Sequence, residues 1–389
     1  MNALRNRLAP LARSLPPSGI RRFFDMASTM KDVISLGVGE PDFVTPWHIR
    51  ESGLHALERG VTSYTANAGI FELRQAIARY LDGYGTVYHP ETEILVTVGG
   101  SEAIDLAIRV LAGPGDEVLI AEPAYVSYRP LVHLSGATPV SVPLRPENGF
   151  RLDAKDVRAR ITPRTKALIL CNPNNPTGSV LNRAQLESIA QAVRDADIFV
   201  VVDEIYAELT YGQSHVSLPS LPGMQERTVL IGGLSKAYAM TGWRLGYAAA
   251  PDFILHAMLT VHQYTILCAP AAAQVAGIEA LAHGGPAVLA MVAEYDARRH
   301  LITRGLNELG LSCALPQGAF YAFPDIRSTG LSSEQFAEEL LVHGRVAVVP
   351  GNVFGDQGEG FVRCSYATSI GQIEQALERT RMMLSAGRD

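Results

Sequence analysis

The sequence predicts an α/β protein in which helices cover both faces of a mostly parallel sheet, together with a smaller α+β domain. The chain has 389 residues, 47% of them apolar and 19% charged, which is enough for two domains around an extensive core. From about residue 94, short continuous apolar segments alternate with segments of helical spacing. This alternation is typical of parallel sheets that are buried on both faces.

The elements are predicted in chain order from apolar spacing and from glycine and proline breaks. An irregular arm covers residues 1 to about 35, and a Gly/Pro loop covers 37–43. The predicted strands are 94–98, 117–121, 138–142, 166–171, 198–202, 228–231, 245–250, 319–323, 346–349 and 361–364. The predicted helices are 72–81, one from Ser101, one near 125–134, 183–195, 252–263, 271–283, 286–309, 332–341 and 370–384. We expect a large domain at 45–285 and a small domain built from both termini, 1–44 and 286–389.

Composition excludes several classes of protein. A net charge of −6 gives no reason to expect a nucleic acid partner. No run of 18 apolar residues is present, so no membrane partner is expected. The four cysteines are widely separated without a CxxC pair, which argues against a disulfide framework or a zinc site and favours a reducing cytoplasm. The arginines of the first 24 residues faintly resemble a transit peptide, but serine richness and sustained amphipathicity are lacking.

The chemistry of the chain centres on residues 232–246, GGLSKAYAMTGWRLG. Lys236 follows the buried strand 228–231 among small and apolar neighbours, which disfavour its charge and lower its pKa toward the range of a nucleophilic amine. Arg244, eight positions later, is suited to forked recognition of a phosphate. An amine that forms a Schiff base, beside an arginine that binds phosphate, indicates a pyridoxal phosphate site.

The Ser-Lys pair with an arginine eight residues later resembles the lysine motif of the fold type I, class I/II aminotransferases. The resemblance covers nearly the whole chain, from Gly37 to Arg363. It implies a seven-stranded sheet, pyridoxal 5′-phosphate as the cofactor and a homodimer that handles small amino acids and 2-oxo acids.

Phosphate and ring contacts are expected at two strand ends. After the strand 94–98, the residues Gly100, Ser101 and Glu102 open a helix, where free N–H groups and the helix dipole favour an anion. Ser101 also suits a simple N-cap, and both roles are compatible. Tyr125 is predicted to start the next helix, and the resemblance implies that it stacks on the pyridine ring.

Three further residues complete the predicted cofactor contacts. Asn175 lies in the turn 172–178, NPNNPTG, and the resemblance implies that it donates to the ring oxygen of the cofactor. Asp203 ends a very apolar strand, where a carboxylate needs a partner, and the protonated pyridine nitrogen supplies one. Tyr206 resembles the family's tyrosine that hydrogen-bonds the ring oxygen and lowers the Schiff-base pKa.

Substrate contacts are predicted from both ends of the chain. Arg363 interrupts an apolar strand, where a buried guanidinium needs an anion as its partner. The resemblance implies that this anion is the substrate α-carboxylate, bound through a bidentate fork. Gly39 lies in the loop that passes beside the substrate. Tyr64 resembles the tyrosine that reaches the phosphate of the other subunit, which would place the site at a homodimer interface.

Two departures from the family pattern concern phosphate and specificity. Gly233 stands where the family often has a hydroxyl residue that contacts phosphate, so that this bond is either lost or replaced by one from Ser235. The segment 262–270 has no arginine for a distal carboxylate, which puts strict aspartate specificity in doubt. Arg21 and Arg22 on the arm are an alternative source of that contact.

The predicted activity is transamination by a ping-pong mechanism. Lys236 holds the cofactor as an internal aldimine and then moves the proton from the substrate Cα as general base and acid, with 2-oxoglutarate as the expected acceptor. A β-lyase or racemase on the same fold remains the alternative, since fold does not fix the reaction. Three other classes of protein are not supported by the sequence. It has no GxGxxG fingerprint of a nicotinamide-dependent dehydrogenase and no basic DNA-binding element of a regulatory protein. Its histidines show no paired ligand spacing of a catalytic metal site. The amino donor stays open among aspartate, aromatic amino acids, alanine and an N-acylated diamino acid.

Overall fold

A computed structural model describes residues 7–15, 19 and 26–386 of the chain. Its strands are β1 Ile34–Ser35, β2 Ile94–Thr97, β3 Glu117–Glu122, β4 Thr138–Pro143, β5 Thr165–Cys171, β6 Phe199–Asp203, β7 Thr228–Gly233, β8 Gly246–Ala249, β9 Tyr321–Ala322, β10 Val346–Ala347, β11 Val349–Pro350 and β12 Val362–Ser365. Its helices are α1 Pro10–Ser14, α2 Trp47–Glu58, α3 Phe71–Asp82, α4 Gly100–Leu111, α5 Tyr128–Leu134, α6 Ala154–Arg158, α7 Arg183–Asp195, α8 Asp252–Thr265, α9 Ala271–His283, α10 Gly285–Glu308, α11 Ser333–Gly344 and α12 Ile370–Ala386.

A seven-stranded sheet forms the centre of the molecule, with the strand order β2-β8-β7-β6-β5-β3-β4. Strands β3 to β7 pair in parallel, and β8 runs antiparallel to both of its neighbours, β2 and β7. Strands β2, β3 and β8 are buried along their whole length, as expected for a sheet with helices on both faces. The predicted fold class, a mostly parallel α/β sheet, is confirmed.

Two small sheets connect the ends of the chain. Strand β1 pairs in parallel with β10, so that Ile34 lies opposite Val346. Strand β12 lies between β11 and β9 with antiparallel pairing on both sides. The pairing of β1 with β10 joins the N-terminal segment to a C-terminal element, as a small domain built from both termini requires. The predicted domain boundaries 1–44, 45–285 and 286–389 stay predictions.

Some local predictions were wrong. Tyr125 does not start a helix, because α5 begins three residues later, at Tyr128. The single strand expected at 346–349 is two short strands, β10 and β11, which pair with different partners. Helix α2 was missed, and it packs against α9. Arg21 and Arg22 lie outside the described residues.

Among the described residues, no single helix has the length and apolar character needed to cross a membrane. The adjoining helices α9 and α10, which meet at a bend of 78°, reach the length and apolar composition of a membrane-spanning segment only when they are taken together.

Gly246 permits a close approach between β8 and the turn that follows β2. A Cβ atom at Gly246 would lie 2.5 Å from the carbonyl carbon of Gly99 and 2.6 Å from the nitrogen of Gly100. Both of these atoms belong to the backbone, so neither can swing away as a flexible side chain could. The β2–α4 turn therefore rests directly on the start of β8.

We expect Gly246→Ala to lower the free energy of unfolding by about 1–3 kcal/mol, the usual cost of overpacking a tight interior contact. Thermal unfolding monitored by circular dichroism would measure the change. Gly113→Ala is the matched control, since a Cβ atom there meets nothing within 4 Å. Equal unfolding temperatures for the two variants would contradict the expectation.

Candidate active site

A cavity of about 410 Å³ lies at the carboxyl edge of the parallel strands, within the size range of small-molecule sites. Eleven residues that the sequence singled out line it: Gly39, Gly100, Ser101, Tyr125, Asn175, Asp203, Tyr206, Ser235, Lys236, Arg244 and Arg363. The residues come from the ends of β2, β3, β5, β6 and β7, from the segment before β8, from the loop near Gly39 and from β12. The structure thus brings most of the predicted site residues together, while their individual roles stay predictions.

Lys236 follows β7 and directs its amine into this cavity. Its Nζ atom donates a hydrogen bond to the carbonyl oxygen of Gly39, 2.6 Å away. Burial, with a smaller contribution from the nearby Arg363 guanidinium, lowers the pKa of Lys236 to about 8, against the opposing effect of Glu40. A substantial fraction of the amine is therefore unprotonated near neutral pH, which is the form that reacts with an aldehyde.

Asp203 is buried at the end of β6 and accepts two hydrogen bonds. The Tyr128 hydroxyl donates to Oδ2 at 2.6 Å, and the backbone N–H of Ile205 donates to Oδ1 at 3.1 Å. Burial raises the pKa of Asp203, whereas these two hydrogen bonds act in the opposite direction. Neither partner carries a positive charge, so a cation that bonds to this carboxylate would offset the cost of its burial.

Arg363 reaches the cavity from β12 and contacts only neutral groups through its hydrogen bonds. Its Nη1 donates to Asn175 Oδ1 at 3.0 Å, and its Nη2 donates to the carbonyl oxygen of Gly37 at 2.7 Å. Its Nε is buried without a hydrogen-bond partner within the part of the chain that the structure describes. A buried guanidinium with an orphaned donor is suited to bind an anion that enters the cavity.

The turn after β5 is ordered by asparagines other than Asn175. Asn172 Oδ1 accepts from the N–H of Leu181, and Asn174 Oδ1 accepts from both the N–H and the hydroxyl of Thr177. Because these bonds hold the turn together, the Asn175 side chain is left to face the cavity and Arg363. The NPNNPTG string therefore combines a structural turn with one residue directed at the site.

The β2–α4 turn and Arg244 form a positively polarised corner of the cavity. Gly99 adopts a φ of +78°, and Gly100 and Ser101 begin α4 with the free N–H groups of a helix N-terminus. A Cβ atom at Gly99 would lie 2.5 Å from Arg244 Nη2, so a glycine is needed where the guanidinium passes. This corner is where the predicted phosphate contacts converge.

The structure also explains the glycine at position 233. A Cβ atom there would lie 2.8 Å from Ile205 Cδ1 and 3.2 Å from the backbone of Gly246 and of Leu245. No hydroxyl side chain fits at this position without displacing its neighbours. Ser235 lines the cavity, and its replacement of the missing hydroxyl as a phosphate contact stays a prediction.

Glu102 and Tyr64 do not line the cavity. The Glu102 carboxylate accepts a hydrogen bond from the N–H of Val98 and lies 2.6 Å from Nδ1 of the buried His262. The Glu102 side chain therefore stabilises the β2–α4 turn and does not enter the cavity. Its backbone N–H remains part of the helix N-terminus that was predicted to hold phosphate. Tyr64 is 82% exposed in the single chain, and its predicted contact with another subunit stays a prediction.

The sequence alone missed two tyrosines and a threonine. Tyr128 bonds to Asp203, while Tyr321 and Thr241 line the cavity. Tyr128 lies three residues after Tyr125, and its ring meets the Tyr125 ring edge-on at a centroid distance of 5.5 Å. A helical spacing of aromatic residues was the available signal for Tyr128, whereas Tyr321 lies in an apolar segment without any motif.

The donor set fits pyridoxal phosphate. A half-buried amine of lowered pKa suits its aldehyde, and a buried carboxylate without a cationic hydrogen-bond partner suits its ring nitrogen. Arg244 and the N-terminus of α4 suit its phosphate, and the orphaned Nε of Arg363 leaves capacity for the carboxylate of an amino acid.

This fold and this site define an enzyme of the aminotransferase type. The chain belongs to the aminotransferase class I and II family, which it matches over residues 31–379. That family depends on pyridoxal phosphate, and the seven-stranded sheet is the fold type I sheet of its members.

Individual relatives agree on the family and differ in the substrate they name. A Bacillus subtilis protein provisionally named as the aminotransferase YugH is 54% identical over 97% of this chain and 98% of its own. The aspartate aminotransferase of Pyrococcus abyssi is 47% identical over 95% of this chain and 96% of its own. The crystal structure of an aromatic aminotransferase from Pyrococcus horikoshii superposes with a TM-score of 0.90, at 45% identity, covering 94% of this chain and 99% of that one.

Asp203→Asn is expected to separate stability from cofactor binding. Because burial raises the pKa of Asp203 above its value in the unfolded chain, the ionised carboxylate lowers the free energy of unfolding at neutral pH. This destabilisation disappears when the pH is low enough to protonate the carboxyl group in both the folded and the unfolded chain. The cofactor-free variant should therefore unfold at a temperature equal to or above that of the wild type at pH 7, and the difference should shrink toward pH 4. Added pyridoxal phosphate should raise the unfolding temperature of the wild type far more than that of the variant.

Differential scanning fluorimetry between pH 4 and 8, with and without pyridoxal phosphate, measures both effects. Asp153→Asn, on an exposed side chain remote from the cavity, is the control for a lost carboxylate. A variant with the same cofactor-dependent stabilisation as the wild type would rule out Asp203 as the partner of the cofactor ring.

Proposed function

We propose that this enzyme moves the amino group of an L-amino acid, aspartate or an aromatic or related one, to a 2-oxo acid, with 2-oxoglutarate as the acceptor. The observation that carries the proposal is the meeting of Lys236, Asp203, Asn175, Arg244 and Arg363 in one cavity. In the first half-reaction the donor leaves as a 2-oxo acid and its amino group stays on the enzyme; in the second, the enzyme passes this amino group to the acceptor 2-oxo acid and returns to its starting form, so the kinetics are ping-pong.

Pyridoxal phosphate, when bound, supplies a positively charged ring that accepts the electron pair left at the substrate Cα. In our proposal Asp203 keeps the ring nitrogen protonated, since a carboxylate in that buried position favours a cation. Asn175 and Tyr206 would contact the ring oxygen and Tyr125 would cover the ring face, since all three line the cavity.

Lys236 has two proposed tasks. Its amine would attach the cofactor to the protein, and after release Lys236 would take the proton from the substrate Cα as a general base and deliver it to the cofactor as a general acid. A pKa of about 8 supports both tasks, because an amine of that pKa changes its protonation state readily near neutral pH. The 2.6 Å bond from Nζ to the carbonyl oxygen of Gly39 must break when the amine acts on a ligand.

Two anion sites among the residues that line the cavity give the substrate and the cofactor their orientation in this proposal. Arg244, Ser235 and the N–H groups of Gly100, Ser101 and Glu102 hold the phosphate in this proposal. Arg363 holds the substrate α-carboxylate and exchanges its bonds to Asn175 and Gly37 for that ligand, while the backbone of Gly39 lines the approach.

The proposed assembly is a homodimer. Tyr64 is exposed, and so are the large apolar side chains of Val44, Trp47, Leu54, Leu57, Tyr264 and Ile266, which favour contact with another chain. Two hydrogen bonds tie the Tyr64 loop to the segment after α8 and to α9, from Asn67 Nδ2 to the carbonyl of Leu267 at 2.8 Å and from Gln274 Nε2 to Thr65 Oγ1 at 3.0 Å. In the dimer, Tyr64 reaches the phosphate in the other subunit.

We also propose a cytoplasmic location. Cys171, Cys268, Cys313 and Cys364 are all free thiols, which supports a reducing compartment.

The decisive experiment is a visible absorbance spectrum of purified wild type, Lys236→Ala and the control Lys155→Ala, which replaces an exposed lysine. We expect a band of protein-bound cofactor in the wild type and the control, and none in Lys236→Ala. Particular amino acids should bleach the band and 2-oxoglutarate should restore it, whereas Lys236→Ala should lose about 100- to 10,000-fold in turnover. Pyruvate and ammonia from a β-substituted amino acid without an acceptor would instead indicate a lyase, and a wild type without a band would overturn the cofactor assignment.

Complementation between two inactive variants tests the shared site. Lys236→Ala is expected to inactivate the site in its own subunit, and Tyr64→Ala is expected to weaken phosphate binding in the other subunit. A hybrid dimer of the two variants should contain one intact cavity, so that mixing and refolding them restores up to about a quarter of the wild-type activity per chain, one site in four for randomly mixed subunits. No recovery above the sum of the separate variants would show that Tyr64 does not act across the interface.

A further inference from the structure

Tyr321 lies in the cavity without a role in the reaction proposed above. It belongs to β9, is buried, and is hydrogen-bonded through the pairing of β9 with β12, in which it lies opposite Ser365. Its side chain contacts three of the proposed site residues, Tyr206, Arg363 and Gly39, each in a different way. These contacts come from separate parts of the chain, so Tyr321 is where those parts meet.

The hydroxyl of Tyr321 pairs with the hydroxyl of Tyr206 at 2.8 Å, and both side chains are buried. A tyrosine has a single hydrogen to donate. If Tyr206 uses that hydrogen for the ring oxygen of the cofactor, the bond between the two tyrosines can form only with Tyr321 as its donor. A hydroxyl that accepts one hydrogen bond is also polarised into a stronger donor of the next.

The ring of Tyr321 supports Arg363. The guanidinium carbon of Arg363 lies 4.4 Å from the centre of the Tyr321 ring, and the Phe354 ring lies near it at 5.0 Å. A cation over an aromatic face is attracted by the ring, most strongly where water is excluded. Because a cation–π contact uses none of the guanidinium N–H groups as hydrogen-bond donors to an anion, it leaves them available for a carboxylate.

Gly39 shows how closely the substrate loop passes over the same tyrosine. A Cβ atom at Gly39 would lie 2.6 Å from the Tyr321 hydroxyl oxygen and 3.7 Å from Arg363 Nη2. The carbonyl of Gly39 accepts the hydrogen bond of Lys236. The Tyr321 hydroxyl is therefore enclosed between the loop and Tyr206, which fixes its position.

We propose that Tyr321 is a positioning residue with two separable functions. Its hydroxyl donates to Tyr206 and so directs the Tyr206 hydrogen at the cofactor, and its ring holds the Arg363 guanidinium in the plane that receives the substrate carboxylate. The proposal rests on the function proposed above and adds a residue that no motif of the sequence indicated.

Two substitutions separate the functions. Tyr321→Phe keeps the ring and removes the hydroxyl, so the pH midpoint of the bound cofactor's visible absorbance should rise by about half a unit or more, while KM for the amino donor stays within twofold. Tyr321→Leu also removes the ring, and KM should then rise about 5- to 10-fold. Tyr211→Phe is the control, since it removes another buried hydroxyl, bonded to the carbonyl of Ala319, outside the cavity.

A double-mutant cycle distinguishes positioning from general damage to the fold. In a Tyr206→Phe background the hydroxyl of Tyr321 has no tyrosine to direct, so adding Tyr321→Phe should shift the absorbance midpoint no further. Additive shifts, or a Tyr321→Phe variant that titrates like Tyr211→Phe, would overturn the role of the hydroxyl, and an unchanged KM in Tyr321→Leu would overturn the role of the ring. If the wild type binds no cofactor, the proposed function fails and this inference fails with it.

Discussion

The buried carboxylate of Asp203 is the constraint on which the site depends. It ends a strand whose preceding residues are apolar, and it lies opposite Cys171 on one side and Ile231 on the other. A charge in such a place is unfavourable unless several groups compensate for it. Tyr128 and the N–H of Ile205 provide hydrogen bonds, and the remaining compensation is left to whatever cation enters the cavity. This incompletely compensated carboxylate is what supports the proposed role of Asp203 as the partner of a protonated ring.

The same reasoning explains which parts of the site the sequence could predict. Lys236, Asp203, Asn175 and Ser101 follow strands directly, and parallel strands bring their carboxyl ends to one edge, so order along the chain was enough to group them. Tyr321 could not be predicted in this way, because it enters from a two-residue strand of a different sheet. Its contacts depend on how the C-terminal elements pack onto the large sheet, a tertiary relation that has no local signal.

Local boundaries failed where tertiary pairing overrides the local pattern. The apolar run 346–349 predicts one strand, yet its first half pairs with the N-terminal β1 and its second half with β12. Tyr125 has the spacing of a helix start, but the N–H of the preceding Ala124 bonds to the carbonyl of Phe354, and α5 begins only at Tyr128. Glu102 was predicted as a cofactor contact from its position at the helix N-terminus. Its side chain does not line the cavity but bonds to His262, 160 residues away in the sequence.

The charges in the cavity are arranged so that ligand binding relieves an existing imbalance. Burial shifts the pKa of Lys236 downward and that of Asp203 upward, so both groups are biased toward their neutral forms in the protein alone. Arg363 remains charged but is satisfied only by the neutral oxygens of Asn175 and Gly37. A ligand with a cationic ring and a carboxylate would offer Asp203 and Arg363 better partners than they have now. Binding and folding are then coupled, because the free energy gained at the site stabilises the loop near Gly39, the turn of Asn175 and the end of β12 together.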